Sequence, residues 1–129
     1  MRKIFFAILA GHFLIGCSGP DLNGNWTISS VDGEVINQME IHPFINFDKA
    51  TGRFHGNSGV NIINGTYTVA GSKLKFDNIS TTMMAGPEED METESEIIEA
   101  INDAVKYRGK NGGVEILDDE GDVVLTLVR

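Results

Sequence analysis

Short apolar segments separated by glycine-containing turns are the feature that most constrains the fold of this chain. From Leu22 to Phe76, segments rich in β-branched and aromatic residues alternate with such turns at intervals of roughly ten residues. The alternation is strict around residues 73–76, where Leu74 and Phe76 are expected to face the core and the two lysines to face solvent. This pattern predicts an antiparallel meander.

One amphipathic helix is predicted after Pro87, which suits the first turn of a helix and is followed by three acidic residues. Its apolar stripe consists of Ile97, Ile98, Ile101, Ala104 and Val105. The segment is expected to end at Gly109 or at the glycines after Asn111, with room for a short strand through Tyr107. The acidic face opposite the stripe is expected to be solvated.

The last part of the chain is predicted to form a closing hairpin, with strands over 113–117 and 122–128. The fold class is therefore mainly β with one helix (α+β). We expect a strongly bent antiparallel sheet, or an open half-barrel, of about seven or eight strands with the amphipathic helix packed on it.

The first 16 residues have the pattern of an export signal. Arg2 and Lys3 precede an apolar run from Ile4 to Ile15, which is shorter than the roughly 20 residues needed to span a bilayer. The run ends in Leu-Ile-Gly-Cys, which resembles a lipobox. This predicts cleavage between Gly16 and Cys17, acylation of Cys17, a tether over 17–21 and a folded domain over 22–129. The alternative is an ordinary signal peptide followed by an unrelated cysteine.

Charge and cysteine content exclude several kinds of function. The chain has 19 acidic and 10 basic residues, and loss of the signal makes the balance still more acidic. Nucleic-acid binding is not expected, because it depends on a basic surface. An acidic domain is also repelled by anionic headgroups, so the membrane contact is assigned to the lipid on Cys17. Since Cys17 is the single cysteine, disulfides, zinc–thiolate sites and cysteine nucleophiles are not expected.

Two groups of polar residues are candidates for a site. His55 and Ser58 are close in sequence, but they do not form the Gly-x-Ser-x-Gly elbow of a hydrolase. Asp118, Glu120 and Asp122 alternate without matching the spacing of a calcium-binding loop, which favours solvated charge. No catalytic residue, metal site or cofactor is predicted, and the chain is expected not to be an enzyme.

An apolar cleft is the remaining candidate site. Met83 and Met84 lie between the meander and the helix, and methionines adapt to irregular apolar shapes. Together with Ile97 and Ile101 they could line a cleft between sheet and helix, or they could simply fill core.

The order of several short motifs resembles the META domain, a family that includes the HslJ-like lipoproteins of bacteria. The motifs are Trp26, Phe47-Asp48, Gly56-Asn57-Ser58-Gly59, Asn61, Gly65, Tyr67-Thr68, Thr82-Met83-Met84-Ala85, the helix and a strand after Gly121. The resemblance assigns structural roles to Trp26, Gly59, Asn61, Gly65, Tyr67 and Thr82. Many members have cysteine in place of Val60 and of Gly86, and the joint absence here is expected if the two cysteines pair in relatives.

The resemblance implies a periplasmic or surface role in envelope stress and drug tolerance, and the family offers no enzymatic activity to carry over. The chain is therefore expected to be a non-enzymatic envelope protein with an interaction or stress-tolerance role, with a possible protein partner. The resemblance also implies a fold like that of cracked-barrel lipoproteins, so a carrier of a lipid or other apolar ligand is the alternative function. A serine directly after Cys17 resembles the outer-membrane sorting class. The membrane face and the oligomeric state stay open.

Overall fold

The structure is a computed structural model, which describes residues 19–129. The predicted signal peptide over 1–16 and the predicted acylation site Cys17 lie outside these residues. The strands are β1 (Gly24–Val31), β2 (Glu34–Val35), β3 (Phe44–Asp48), β4 (Arg53–Asn57), β5 (Ile62–Ala70), β6 (Lys73–Thr81), β7 (Lys106–Lys110), β8 (Gly113–Leu117) and β9 (Val123–Val128). The helix is α1 (Glu88–Asp103).

All nine strands belong to one antiparallel sheet in the order β9-β8-β7-β6-β5-β4-β3-β1-β2. The sheet bends until β9 also pairs with β1, from Leu125 opposite Val31 to Val128 opposite Thr27. The two-residue β2, which the sequence pattern did not indicate, lies outside this ring. The predicted fold class, a strongly bent antiparallel sheet with one helix, is confirmed.

Pairing within the ring is shortest between β6 and β7. A single residue pair, Lys73 with Lys106, joins these strands. It is flanked by backbone hydrogen bonds from Leu74 to Val105 (3.1 Å) and from Tyr107 to Ser72 (3.0 Å). The narrow contact allows α1, which connects β6 to β7, to pack against β1, β6 and β9.

Local backbone geometry explains a break in the alternation of β1. Trp26 and Ile28 face the core, but the next buried position is Val31 and not Ser30, which strict alternation would place inside. The register with β9 shifts between Ser30 and Ile28, which is the mark of a bulge. The extra residue turns Val31 inward, so the hydroxyls of Ser29 and Ser30 stay outside the core.

Large side chains from every part of the ring fill its interior. The rings of Phe47 and Tyr67 meet edge to face at 4.8 Å, and those of Phe54 and Phe76 at 5.0 Å. Burying each such side chain contributes roughly 1.5–3 kcal/mol. Strands that are not adjacent in the sheet are therefore held together by a shared aromatic core.

The helix ends at Asp103, because Ala104 already has extended backbone (φ −64°, ψ 129°). The short strand through Tyr107 follows at once. The buried face of α1 consists of Glu94, Ile97, Ala100 and Ile101. Within residues 19–129 there is no helix with the length and apolar character needed to cross a membrane.

Candidate functional site

The turn between β4 and β5 brings together the buried polar side chains of the domain. Ser58 and Asn61 lie in this turn, and Glu94 reaches them from the second turn of α1. Their exposed fractions are only 0 %, 4 % and 9 %. We call these three residues the polar cluster.

The polar cluster is closed by short hydrogen bonds. One carboxyl oxygen of Glu94, Oε2, accepts from Ser58 Oγ at 2.5 Å and from Asn61 Nδ2 at 2.7 Å. Ser58 Oγ in turn accepts from the backbone amide of Asn61 at 3.0 Å, and this bond fixes the conformation of the turn. Buried polar groups cost free energy unless they are paired, and here they pair with one another.

Asn61 also orders the segment that leads from β6 to α1. Its Oδ1 accepts from the Met84 amide at 2.6 Å and from Thr82 Oγ1 at 2.8 Å, while its Nδ2 donates to the Met84 carbonyl at 3.1 Å. The side-chain amide thus pairs with both polar groups of the Met84 backbone, as a neighbouring strand would. Residues 82–86 have no regular secondary structure, so these hydrogen bonds fix the path of their backbone.

The ordered segment holds apolar side chains in solvent. Met83 is 93 % exposed and Met84 57 % exposed. Ile62, also exposed, adjoins them because its amide donates to Thr82 Oγ1 at 3.0 Å. We call Ile62, Met83 and Met84 the methionine surface.

The residues to which the sequence assigned structural roles have identifiable tasks. Trp26 is buried and donates from Nε1 to the Leu22 carbonyl at 2.8 Å. Gly59 has φ 100° and contacts Met39, whose Cε would lie 2.2 Å from an added Cβ. At Gly65 an added Cβ would lie 2.7 Å from the Asp77 carbonyl oxygen, so only glycine allows β5 and β6 to approach there.

Comparison with protein families matches residues 20–129 to the META domain. The chain belongs to the META domain family. Three solved structures share the fold of this META domain, each at low sequence identity. Comparison with curated proteins gave no match.

The structural relatives cover nearly the whole domain. An NMR structure of a protein from Burkholderia xenovorans has a TM-score of 0.67 and 20% identity, covering 94% of this chain and 98% of its own. A second NMR structure has a TM-score of 0.64 and 17% identity over 83% and 89%. A crystal structure of a DUF4847 family protein from Bacteroides vulgatus has a TM-score of 0.61 and 19% identity over 83% and 92%.

The two positions at which many META domains have cysteine are neighbours in this structure. A Cβ built on Gly86 would lie 3.9 Å from the Cβ of Val60. Bonded cysteines have Cβ atoms about 3.5–4.5 Å apart. In this META domain the Val60 methyl groups instead lie 3.3 Å from the Cβ position built on Gly86. The valine side chain therefore packs in the space that a disulfide would occupy.

Ser58 and His55 do not form a hydrolase-like pair in this META domain. The side chain of His55 is exposed on β4, whereas Ser58 is fully buried and donates to Glu94. The hydroxyl that would act as a nucleophile is thus held by a carboxyl group from the helix.

The four residues of the candidate cleft occupy two different environments. Ile97 and Ile101 are buried in the core, whereas Met83 and Met84 are exposed. Neither methionine lines the two depressions described below. The two isoleucines contribute to stability, and the two methionines contribute to the surface.

The acidic turn between β8 and β9 brings Asp118, Glu120 and Asp122 together. Their carboxyl oxygens lie within 4.8 Å of one another. Asp118 Oδ1 accepts from the amides of Glu120 and Asp122 at 3.0 and 2.9 Å, so this side chain shapes the turn.

Glu94 is the site residue that sequence reasoning missed. It lies in a run of acidic residues that were all expected to be solvated. The available signal was its spacing, since Glu94 precedes Ile97 by three and Ile98 by four positions and therefore lies on the buried stripe.

Proposed function

We propose that this META domain is a lipid-anchored protein of the bacterial envelope that binds a protein partner through the methionine surface. It acts without catalysis. The observation that carries this proposal is the exposure of two consecutive methionines in a segment whose backbone conformation is fixed by hydrogen bonds from the polar cluster.

Two properties of the methionine surface support partner binding. Exposed apolar groups that lie together mark interaction sites more often than isolated ones do, and methionine adapts to differently shaped partners. Because Asn61 already orders the backbone of Met84, binding would cost little conformational entropy in that backbone.

The hydrogen bonding of the polar cluster supports a role without catalysis. The hydroxyl of Ser58, the amide of Asn61 and Oε2 of Glu94 are all engaged with protein groups. A catalytic group must instead be free to approach a substrate. These residues therefore serve the architecture of the surface.

The lipid anchor is tested by a Cys17→Ser substitution in the full chain, followed by membrane fractionation and acyl labelling. The wild-type protein is expected to float with membranes and to incorporate labelled fatty acid, and the variant to do neither. Retention of the variant in the membrane, or wild-type protein without acyl chains, would contradict the anchor.

The partner surface is tested by a photoreactive amino acid placed at Met83 in living cells, with position Lys75 on the wall of the ring as matched control. We expect one discrete adduct of higher mass from position 83 and not from position 75. Adding Asn61→Ala should abolish the adduct, because it releases the segment. Equal adducts from both positions, or none from position 83, would overturn the proposal.

A carrier of an apolar ligand is the second candidate, and the narrow β6–β7 junction supports it. A depression of about 380 Å³ lies there, lined by Leu74, Ala70, Ala104 and Val105 among others. Its volume is at the lower end of the range for small-molecule sites. Native mass spectrometry of the protein purified without denaturation distinguishes the two functions, since a carrier retains an extra mass.

A further inference from the structure

The tether is bound to one end of the ring. Arg129, which follows β9, donates from Nη1 to the Asn23 carbonyl at 3.1 Å and from Nη2 to the Asp21 carbonyl at 3.3 Å. Its guanidinium also lies 3.8 Å from the centre of the Trp26 ring. The chain that leads toward Cys17 is therefore held on the domain rather than free.

Three turns lie at the same end as the tether. The Lys49 amide in the β3–β4 turn donates to Asn23 Oδ1 at 2.7 Å. Gly109, next to the β7–β8 turn, would contact Pro20 at 3.4 Å through an added Cβ. Val69, next to the β5–β6 turn, lines one depression together with the tether. We call this the tether end.

Basic residues concentrate at the tether end. Those in its turns, at the adjoining strand ends or on the tether are Lys49, Arg53, Lys73, Lys110 and Arg129, and all are exposed. The acidic residues there are Asp21 and Asp48. Glu115, in the middle of β8, pairs with Arg108 at 2.8 Å and with Lys110 at 3.7 Å. The tether end is therefore net positive, although the whole chain carries −9.

The opposite end has the acidic residues of the β1–β2 turn, the first helical turn and the β8–β9 turn. They are Asp32, Glu34, Glu88, Glu89, Asp90, Asp118, Asp119, Glu120 and Asp122. Among the described residues, these three segments contain no lysine or arginine. The prediction that the whole domain is repelled by anionic headgroups therefore describes only this end.

Distances decide which end the membrane attracts. The chain from Cys17 to Gly19 can span at most about 7 Å. An acylated Cys17 would therefore keep Gly19 within about one Debye length, roughly 8 Å, of the bilayer. The eight residues of β1 extend roughly 26 Å at about 3.3 Å per residue, so the acidic end is screened. Near an anionic surface each basic residue contributes on the order of 1 kcal/mol.

We infer that the tether end docks on the anionic phosphate headgroups of the membrane that holds Cys17, so that the domain has a fixed orientation. This inference rests on the proposed lipid anchor. Docking directs the acidic end outward, and with it the methionine surface, which adjoins the far ends of β4 and β5.

The test uses acylated full-length protein in vesicles of phosphatidylcholine alone or with phosphatidylglycerol, with a quencher on the headgroups. A fluorophore is attached through Ser72→Cys at the tether end or through Ser80→Cys near the far end of β6. These exposed serines are separated by most of the length of one strand. In anionic vesicles we expect at least about threefold stronger quenching at position 72, and a smaller difference at high salt.

Charge reversal separates this inference from the anchor. Lys49→Glu with Lys110→Glu should remove most of the difference, and Lys49→Glu alone should reduce it more than Lys75→Glu, the same charge change on the wall of β6. Equal quenching at both positions, or the same difference in neutral vesicles, overturns the docking but leaves the anchor intact. Protein whose mass shows no acyl chains overturns the anchor and the docking together.

Discussion

Asn61 connects three parts of the chain through one side chain. It pairs with Glu94 on the helix, with Thr82 at the end of β6 and with both backbone groups of Met84. An amide suits this task because it provides two donors and an acceptor in one plane. Aspartate would offer no donor to the Met84 carbonyl or to Glu94.

Asn61→Ala is expected to lower the free energy of unfolding by about 2–3 kcal/mol, because it leaves the Met84 amide and the Glu94 carboxyl group with fewer partners. Chemical denaturation measures the change. Asn64→Ala is the matched control, since Asn64 is exposed and, among residues 19–129, its side chain bonds only to Ser80, so a change under about 0.5 kcal/mol is expected there. Equal losses in the two variants would contradict the role of Asn61.

Tyr107 makes the stability of the domain sensitive to alkaline pH. Burial raises its pKa above the ordinary 10.0, and the nearby Asp21 raises the pKa further. The folded chain therefore keeps a proton that the unfolded chain loses, so stability is complete below about pH 10 and falls above it. We expect Tyr107→Phe to lose less stability than wild type between about pH 8 and about pH 11. Parallel losses in the two proteins would contradict this assignment.

At the scale of elements, periodicity predicted most strands because their alternate residues face either a core or water. Leu74 and Phe76 are buried, and the flanking lysines are exposed, as expected. The pattern could not show β2, which has two exposed residues, or the inward turn of Val31, which depends on a bulge opposite β9. Both depend on which strand lies alongside, and local sequence does not contain that information.

The candidate site was less accessible to sequence reasoning than the fold. Asn61 and Thr82 were assigned structural roles through the family motif, but Glu94, which bonds to Asn61, resembled its solvated neighbours. The methionine pair was expected either to line a cleft between sheet and helix or to fill core, because methionine adapts to irregular apolar shapes. In the structure, Asn61 binds the backbone of Met84 and thereby keeps both methionine side chains outside the core.

The Val60→Cys/Gly86→Cys variant is expected to form a disulfide in air, because its Cβ atoms would lie 3.9 Å apart. The bond should raise the free energy of unfolding by roughly 2–4 kcal/mol relative to the reduced form. Thiol titration and denaturation with and without reductant measure both effects. In the control, Val60→Cys with Ser80→Cys, no bond should form. A double variant that stays reduced would contradict the placement of residues 82–86.

At the scale of the molecule, the domain has two different ends. One has the tether and a net positive set of turns, and the other has acidic turns and lies nearer the methionine surface. A ring of strands with a filled core keeps the two ends a fixed distance apart. This arrangement suits a protein that is attached on one side and recognised on the other.

Backbone amide exchange across the whole chain tests the central claim most directly, which is that the polar cluster orders the methionine surface. In the wild type the Met84 amide should be protected, although residues 82–86 have no regular structure. In Asn61→Ala its exchange should rise at least about tenfold more than that of the β8 and β9 amides. A Met84 amide that exchanges freely in the wild type, or an equal rise throughout the chain, would contradict the account.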